Sequence, residues 1–167
     1  PLFSVEVQLW IREVSRVTRL VQAVPEFRWL DGAAPEPEEL PDEEAPPTAP
    51  AVYCRLCGRT GWMARSSELN GRLSFVESGI YEESIRSSPR LRALIRASPN
   101  EPAVEYLDPA QVALYPEAEN HRVAVLVTPT DDAARRSECP SCGGVEGIRF
   151  LGSRVASLAS VSVSQLF

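Results

Sequence analysis

Residues 5–24 place apolar and polar side chains with the period of an α-helix. Val7, Trp10, Ile11, Val14, Val21 and Val24 fall on one arc at about 100° per residue, and Arg12, Arg16 and Arg19 fall on the opposite side. This predicts a helix that Pro25 ends near Val24. Residues 26–30 alternate polar and apolar and predict a short strand. Ala51, Val52 and Tyr53 run into a cysteine pair and Gly61, Trp62, Met63 and Ala64 run out of it, the order of strand, tight turn and strand. Residues 74–86 are weakly helical, with Val76, Ile80 and Ile85 as the apolar positions. Ser88 as N-cap and Pro89 at the first helical position predict a second helix through Leu91, Leu94 and Ile95 to Ala97, stopped by Ser98 and Pro99.

Residues 104–107 read as a strand, Asp108 and Pro109 as a turn, and residues 122–128 as the clearest strand of the chain, because they are β-branched and apolar. A polar loop over 129–138 then precedes a second cysteine pair, and residues 148–151 read as a short strand. Ser153 is placed to cap a final helix with Val155, Leu158, Ala159 and Leu166 inward, although the alternation over 161–164 also fits a strand. Together these elements predict an α+β fold, a small antiparallel sheet with flanking helices.

Composition changes this picture in one segment. Residues 31–50 hold seven acids, no base and six prolines. Prolines remove backbone donors and like charges repel, so the segment cannot bury enough to offset its ordering entropy. It predicts an acidic, proline-rich linker between an N-terminal helix and strand (1–30) and an α+β domain (51–167). The net charge of -6 resides there, since the rest of the chain carries about +1. An acidic total therefore does not exclude nucleic acid as a partner. All 17 basic residues are arginine, a pattern that coding bias explains most simply. The absence of lysine excludes a lysine nucleophile and a phosphate-loop lysine. With 44% hydrophobic residues the chain can bury a core, and with no apolar run of 18 residues no membrane-spanning helix is expected. The lack of a basic-apolar leader suggests a cytoplasmic location, and the unfinished periodic run at Phe167 suggests a piece of a longer protein.

The four cysteines carry the chemistry. They occur as Cys54-Arg55-Leu56-Cys57-Gly58 and Cys139-Pro140-Ser141-Cys142-Gly143. In a C-x-x-C turn both sulfurs can face one cation while backbone amides partly neutralise them. The following residue tends to need a positive φ, which glycine adopts without penalty. Cys54, Cys57, Cys139 and Cys142 thus make the complement of a closed tetrahedral Zn²⁺ site. Iron takes the same four ligands, so spacing leaves it open. The site is split, like a zinc ribbon with residues 58–138 inserted between its halves. Structural zinc contributes on the order of 10–16 kcal/mol. Closing a long loop costs only a few kcal/mol, so a split site is physically reasonable. Two disulfides, or a redox dithiol at Cys139 and Cys142, are the alternatives. The pair of glycines at 143 and 144 argues for a turn rather than the helix a redox motif needs.

Four protein ligands leave no position for an activated water, so the metal is expected to be structural. The single histidine, His121, reads as a surface residue. There is no phosphate loop, no dinucleotide fingerprint and no nucleophile elbow. The adjacent acids Glu82 and Glu83, and Asp131 and Asp132, read as solvated. No enzyme activity and no small-molecule substrate are expected of this chain. Arg12, Arg16 and Arg19 form the candidate nucleic-acid stripe, with Arg86, Arg90, Arg92 and Arg96 as a second basic cluster.

Residues 5–16, Phe27-Arg28-Trp29, residues 53–62, and residues 139–143 with 149–154 resemble a cysteine-bearing region of large bacterial DEAD/DEAH-box (superfamily 2) helicases, often found in defence-associated gene sets. The resemblance implies a zinc-binding accessory region beside two motor domains, which would be its partners along with nucleic acid. The motor's own catalytic residues have no counterpart here. A zinc-ribbon module for binding another protein is the rival expectation, and a dithiol redox domain a third.

Overall fold

A computed structural model describes residues 16–30, 46–67 and 72–152. The first strands, β1 (Arg16–Leu20) and β2 (Phe27–Leu30), form a hairpin. Then come β3 (Thr48–Cys54), β4 (Thr60–Ser66) and the two-residue β5 (Leu73–Ser74). Helix α1 (Glu77–Ile85) leads to β6 (Leu91–Arg96), β7 (Glu105–Asp108), β8 (Ala113–Tyr115) and β9 (Val123–Val127). A short helix α2 (Asp131–Arg135) and β10 (Ile148–Phe150) complete the described residues. Strand order is β2-β1-β3-β4-β6-β9-β7-β8, and every pairing is antiparallel. The α+β expectation agrees with this arrangement.

β3 is the hinge of the topology. Its first half pairs with β1, where Pro50 sits opposite Thr18, and its second half pairs with β10, where Cys54 sits opposite Ile148. Its other edge pairs with β4. Both faces of the central strands are buried, so β4 and β6 do not alternate in polarity. Met63, Ala93 and Ile95 enter one core with Val52, Cys54, Ile80, Cys139 and Ile148. Trp62, Ala64 and Leu94 enter the other with Val21, Ala49, Leu107, Val123 and Val125. Trp62 is fully buried, and its Nε1–H donates to the Leu20 carbonyl at 3.0 Å, tying β1 to β4.

Several expectations are corrected. Residues 16–20 are a strand, not a helix, because β-branched Val17 and Thr18 lie between two hydrogen-bonded partners. Residues 1–15 lie outside the described residues. The helix expected after Ser88 is strand β6: its apolar residues are shared between two cores, a pattern that mimics helical spacing. The Ser88 hydroxyl donates to Glu83 at 2.8 Å and accepts from the Arg90 amide, building a turn instead of a cap. The polar stretch 129–138 contains α2, capped by Thr130, whose hydroxyl accepts from the Ala133 amide at 3.1 Å. The linker expected to reach residue 50 ends earlier, since Thr48 already pairs with Leu20 and the Val21 amide donates to Pro47. Residues 31–45 and the final helix or strand expected over 153–167 lie outside the described residues.

Candidate metal centre

The two cysteine turns repeat the same hydrogen bonds. Cys54 ends β3, its amide donates to the Arg59 carbonyl at 2.8 Å, and the Gly58 amide donates back to Cys54 at 2.8 Å. In the second turn the Cys139 amide donates to Gly144 at 3.0 Å and the Gly143 amide to Cys139 at 2.9 Å. Gly58 and Gly143 have φ of +75° and +68°, the left-handed conformation expected after each second cysteine. A strand pair joins the turns. β10 runs beside the end of β3, and the Arg55 amide donates to the Gly147 carbonyl at 2.9 Å.

All four sulfurs lie within 4.8 Å of one another. Sγ of Cys54 is 3.8 Å from that of Cys142, and Sγ of Cys57 is 3.9 Å from that of Cys139. A tetrahedron with Zn–S bonds of about 2.3 Å has sulfur–sulfur edges of about 3.8 Å. The arrangement therefore suits a metal ion such as zinc. Cys54 and Cys139 are buried in the core, whereas Cys57 and Cys142 are exposed. Gly147 makes room for the cluster. A Cβ there would lie 2.7 Å from the Gly144 carbonyl oxygen and 3.2 Å from Sγ of Cys54.

Burial works against ionising Cys54, but the amides of Cys57 and Leu56 and the neighbouring thiols outweigh it and bring its pKa down to about 7. Burial dominates at Cys139, which is pushed up to about 12, and also raises Cys57. A bound cation would favour every thiolate. Arginines surround the turns: Arg55 and Arg149 both approach Glu146, at 3.6 and 3.5 Å, and Arg59 pairs with Glu101. Of these, Arg59 also feels the sulfurs of Cys57 and Cys139, which add to the effect of Glu101 in raising its pKa.

Of the candidate nucleic-acid residues, Arg16 and Arg19 do not share one face. In a strand, residues three apart face opposite sides. Arg16 is exposed with its guanidinium 4.3 Å above the Tyr81 ring, while Arg19 is buried on the Trp62 ring. Arg12 lies outside the described residues. The second basic cluster is dispersed as well. Arg86 pairs with Glu82, Arg90 faces Glu83, Arg92 pairs with Asp131, and Arg96 donates to the Ala97 carbonyl. Glu83 is not solvated as expected: it is largely buried among Arg65, Arg90 and Ser88. Sequence reasoning missed Gly147, which no motif marks, and Asp108 as the partner of His121.

Among the described residues no helix is long and apolar enough to cross a membrane. Comparison with protein-family models, with curated proteins and with solved structures found no match.

Proposed function

We propose that Cys54, Cys57, Cys139 and Cys142 hold one structural Zn²⁺, and that the chain is a non-catalytic, zinc-stapled accessory domain. The observation that carries this reading is the convergence of four sulfurs from two turns, in pairs 88 and 82 residues apart along the chain, at separations of 3.8 and 3.9 Å. A metal bound by four thiolates has no open position for substrate or water, so its role is to clamp β3 to β10 rather than to catalyse. Purified protein should contain one equivalent of zinc by elemental analysis, and cobalt substitution should give the absorption of tetrahedral thiolate coordination. Iron in place of zinc would leave the staple but change the ion. No bound metal under reducing conditions would end the proposal.

In this reading the domain belongs to a larger DEAD/DEAH-box helicase, as the resembling strings suggest, and assists nucleic-acid binding or the arrangement of motor domains. The exposed Leu56 and Val145 beside the two turns favour a second reading, a module that binds another protein. A salt-dependent mobility shift with DNA or RNA supports the first. No shift at low salt, with a partner interaction lost on Leu56→Asp, supports the second.

A further inference from the structure

A cleft of about 840 Å³ lies away from the cysteine turns, between the end of β1 and the turns that flank β7 and β9. That volume is typical of small-ligand sites. Val21, Pro47, Val112 and Val123 supply apolar walls, and Asp108 and His121 supply polar groups. The Asp108 residue is only 2% exposed. Its Oδ1 accepts the amides of Ala110 and Gln111 at 2.9 and 3.1 Å, while Oδ2 meets Nε2 of His121 at 3.3 Å. Burial opposes its charge, yet the Gln111 amide, His121 and the Ala110 amide hold its carboxyl below the usual carboxylate range.

A carboxylate oxygen accepts two hydrogen bonds, so Oδ2 has capacity to spare. The permanent cation at this cleft, Arg122, is committed at its terminal nitrogens, with only its buried Nε unpartnered. It pairs with Glu119 at 2.6 Å, donates to the Glu117 carbonyl and lies 3.9 Å from the centre of the Tyr115 ring. Among the described residues, then, the buried Asp108 carboxylate meets the His121 imidazole and no arginine.

We propose that this cleft binds an organic cation, an alkylammonium or alkylguanidinium group whose charge meets Asp108 and whose stem lies on Pro47, Val112 and Val123. An anion is disfavoured because Arg122 is already neutralised by Glu119. The groups facing the imidazole are Asp108 through Nε2 and Glu119, 3.7 Å from Nδ1, with Arg122 behind Glu119. The His121 imidazole occupies the same carboxylate oxygen that the ligand would meet, so the two compete for Oδ2.

The test is an NMR titration of the full 167-residue chain with n-butylguanidinium and n-butylammonium. n-Butanol and butyrate serve as neutral and anionic controls. The His121 ring and the methyls of Val112 and Val123 should shift saturably with the cations alone. Asp108→Asn, which keeps an oxygen for both amides, should weaken binding roughly tenfold, the loss of one charge-assisted contact. His121→Ala, which removes the competing group at Oδ2, should tighten binding of the cations. A blocked peptide carrying arginine, compared with the free guanidinium, distinguishes a protein partner from a small amine by which binds more tightly. Equal response to butanol, no response to either cation, or unchanged affinity in Asp108→Asn would overturn the proposal. If Asp108→Asn fails to fold, the contrast between cation and butanol and the affinity of His121→Ala decide it.

Discussion

Arg19 brings a charge into the core where, among the described residues, no carboxylate meets it. Its guanidinium lies 4.3 Å from the Trp62 ring and 5.7 Å from that of Phe27, and it donates to the Thr60 hydroxyl at 3.0 Å. Its Nε has no partner. Burial, with Arg96 nearby, lowers its pKa to about 10. Desolvating a cation costs several kcal/mol, whereas a desolvated cation–π contact returns only about 2. Arg19→Met keeps the stem and removes the charge, so urea unfolding should find stability within about 1 kcal/mol of the parent or higher. A larger loss would mean that the guanidinium itself stabilises the core. Gly147 works in the opposite sense, through space rather than charge. A methyl group at this position meets the Gly144 carbonyl and Sγ of Cys54, so Gly147→Ala should weaken zinc retention in a competition with a chromophoric chelator. Retention equal to that of the parent would show that the second turn yields easily.

Elements in this chain follow their neighbours more than their own periodicity. Leu91, Leu94 and Ile95 have the spacing of a helix face, but β6 lies between β4 and β9 and needs apolar residues on both sides. Two-sided burial erases the alternation by which a strand is recognised. The strand at 123–127 was legible because its β-branched composition has no helical reading. Helix α2 had visible signals, Thr130 as cap with Asp131 and Asp132 in its first turn and Arg135 in its last, but its length of 5 residues hid it in a polar stretch. α2 leads directly to Cys139, so its cap bears on the metal site. Thr130→Ala should cost about 1 kcal/mol and speed zinc release to a chelator. Destabilisation without faster release would separate the helix from the site.

For the whole molecule, the four cysteines meet where a long excursion begins and ends, and in the proposed reading a metal ion holds them together. Removing the metal should therefore affect more than the turns. Chelation under reducing conditions should lower the melting temperature by about 10 °C or more, as expected for a loss of several kcal/mol in a domain of this size. Far-UV circular dichroism should lose strand signal if the sheet depends on the staple. Protons compete with the cation for sulfur, so affinity rises with pH and metal is lost on acidification. Burial raises Cys57 and pushes Cys139 up to about 12, so at neutral pH both must give up protons on binding. Apparent affinity should thus rise at least about a hundredfold per pH unit around neutrality, and a pH-independent affinity would exclude thiolate ligation.

Sequence alone determined what is local. Cysteine spacing and the glycines at 58 and 143 specified two turns of one geometry, because chain stereochemistry leaves little else for C-x-x-C-G to do. Their joining into one site needed β10 to pair with β3, a contact across 94 residues between Cys54 and Ile148 that no local pattern encodes. The same holds for Arg19 and His121. A side chain's type is written in the chain, but its face, burial and partner depend on which strands lie beside it. Only the tertiary structure turned a supposed surface arginine inward and set the lone histidine against a buried carboxylate.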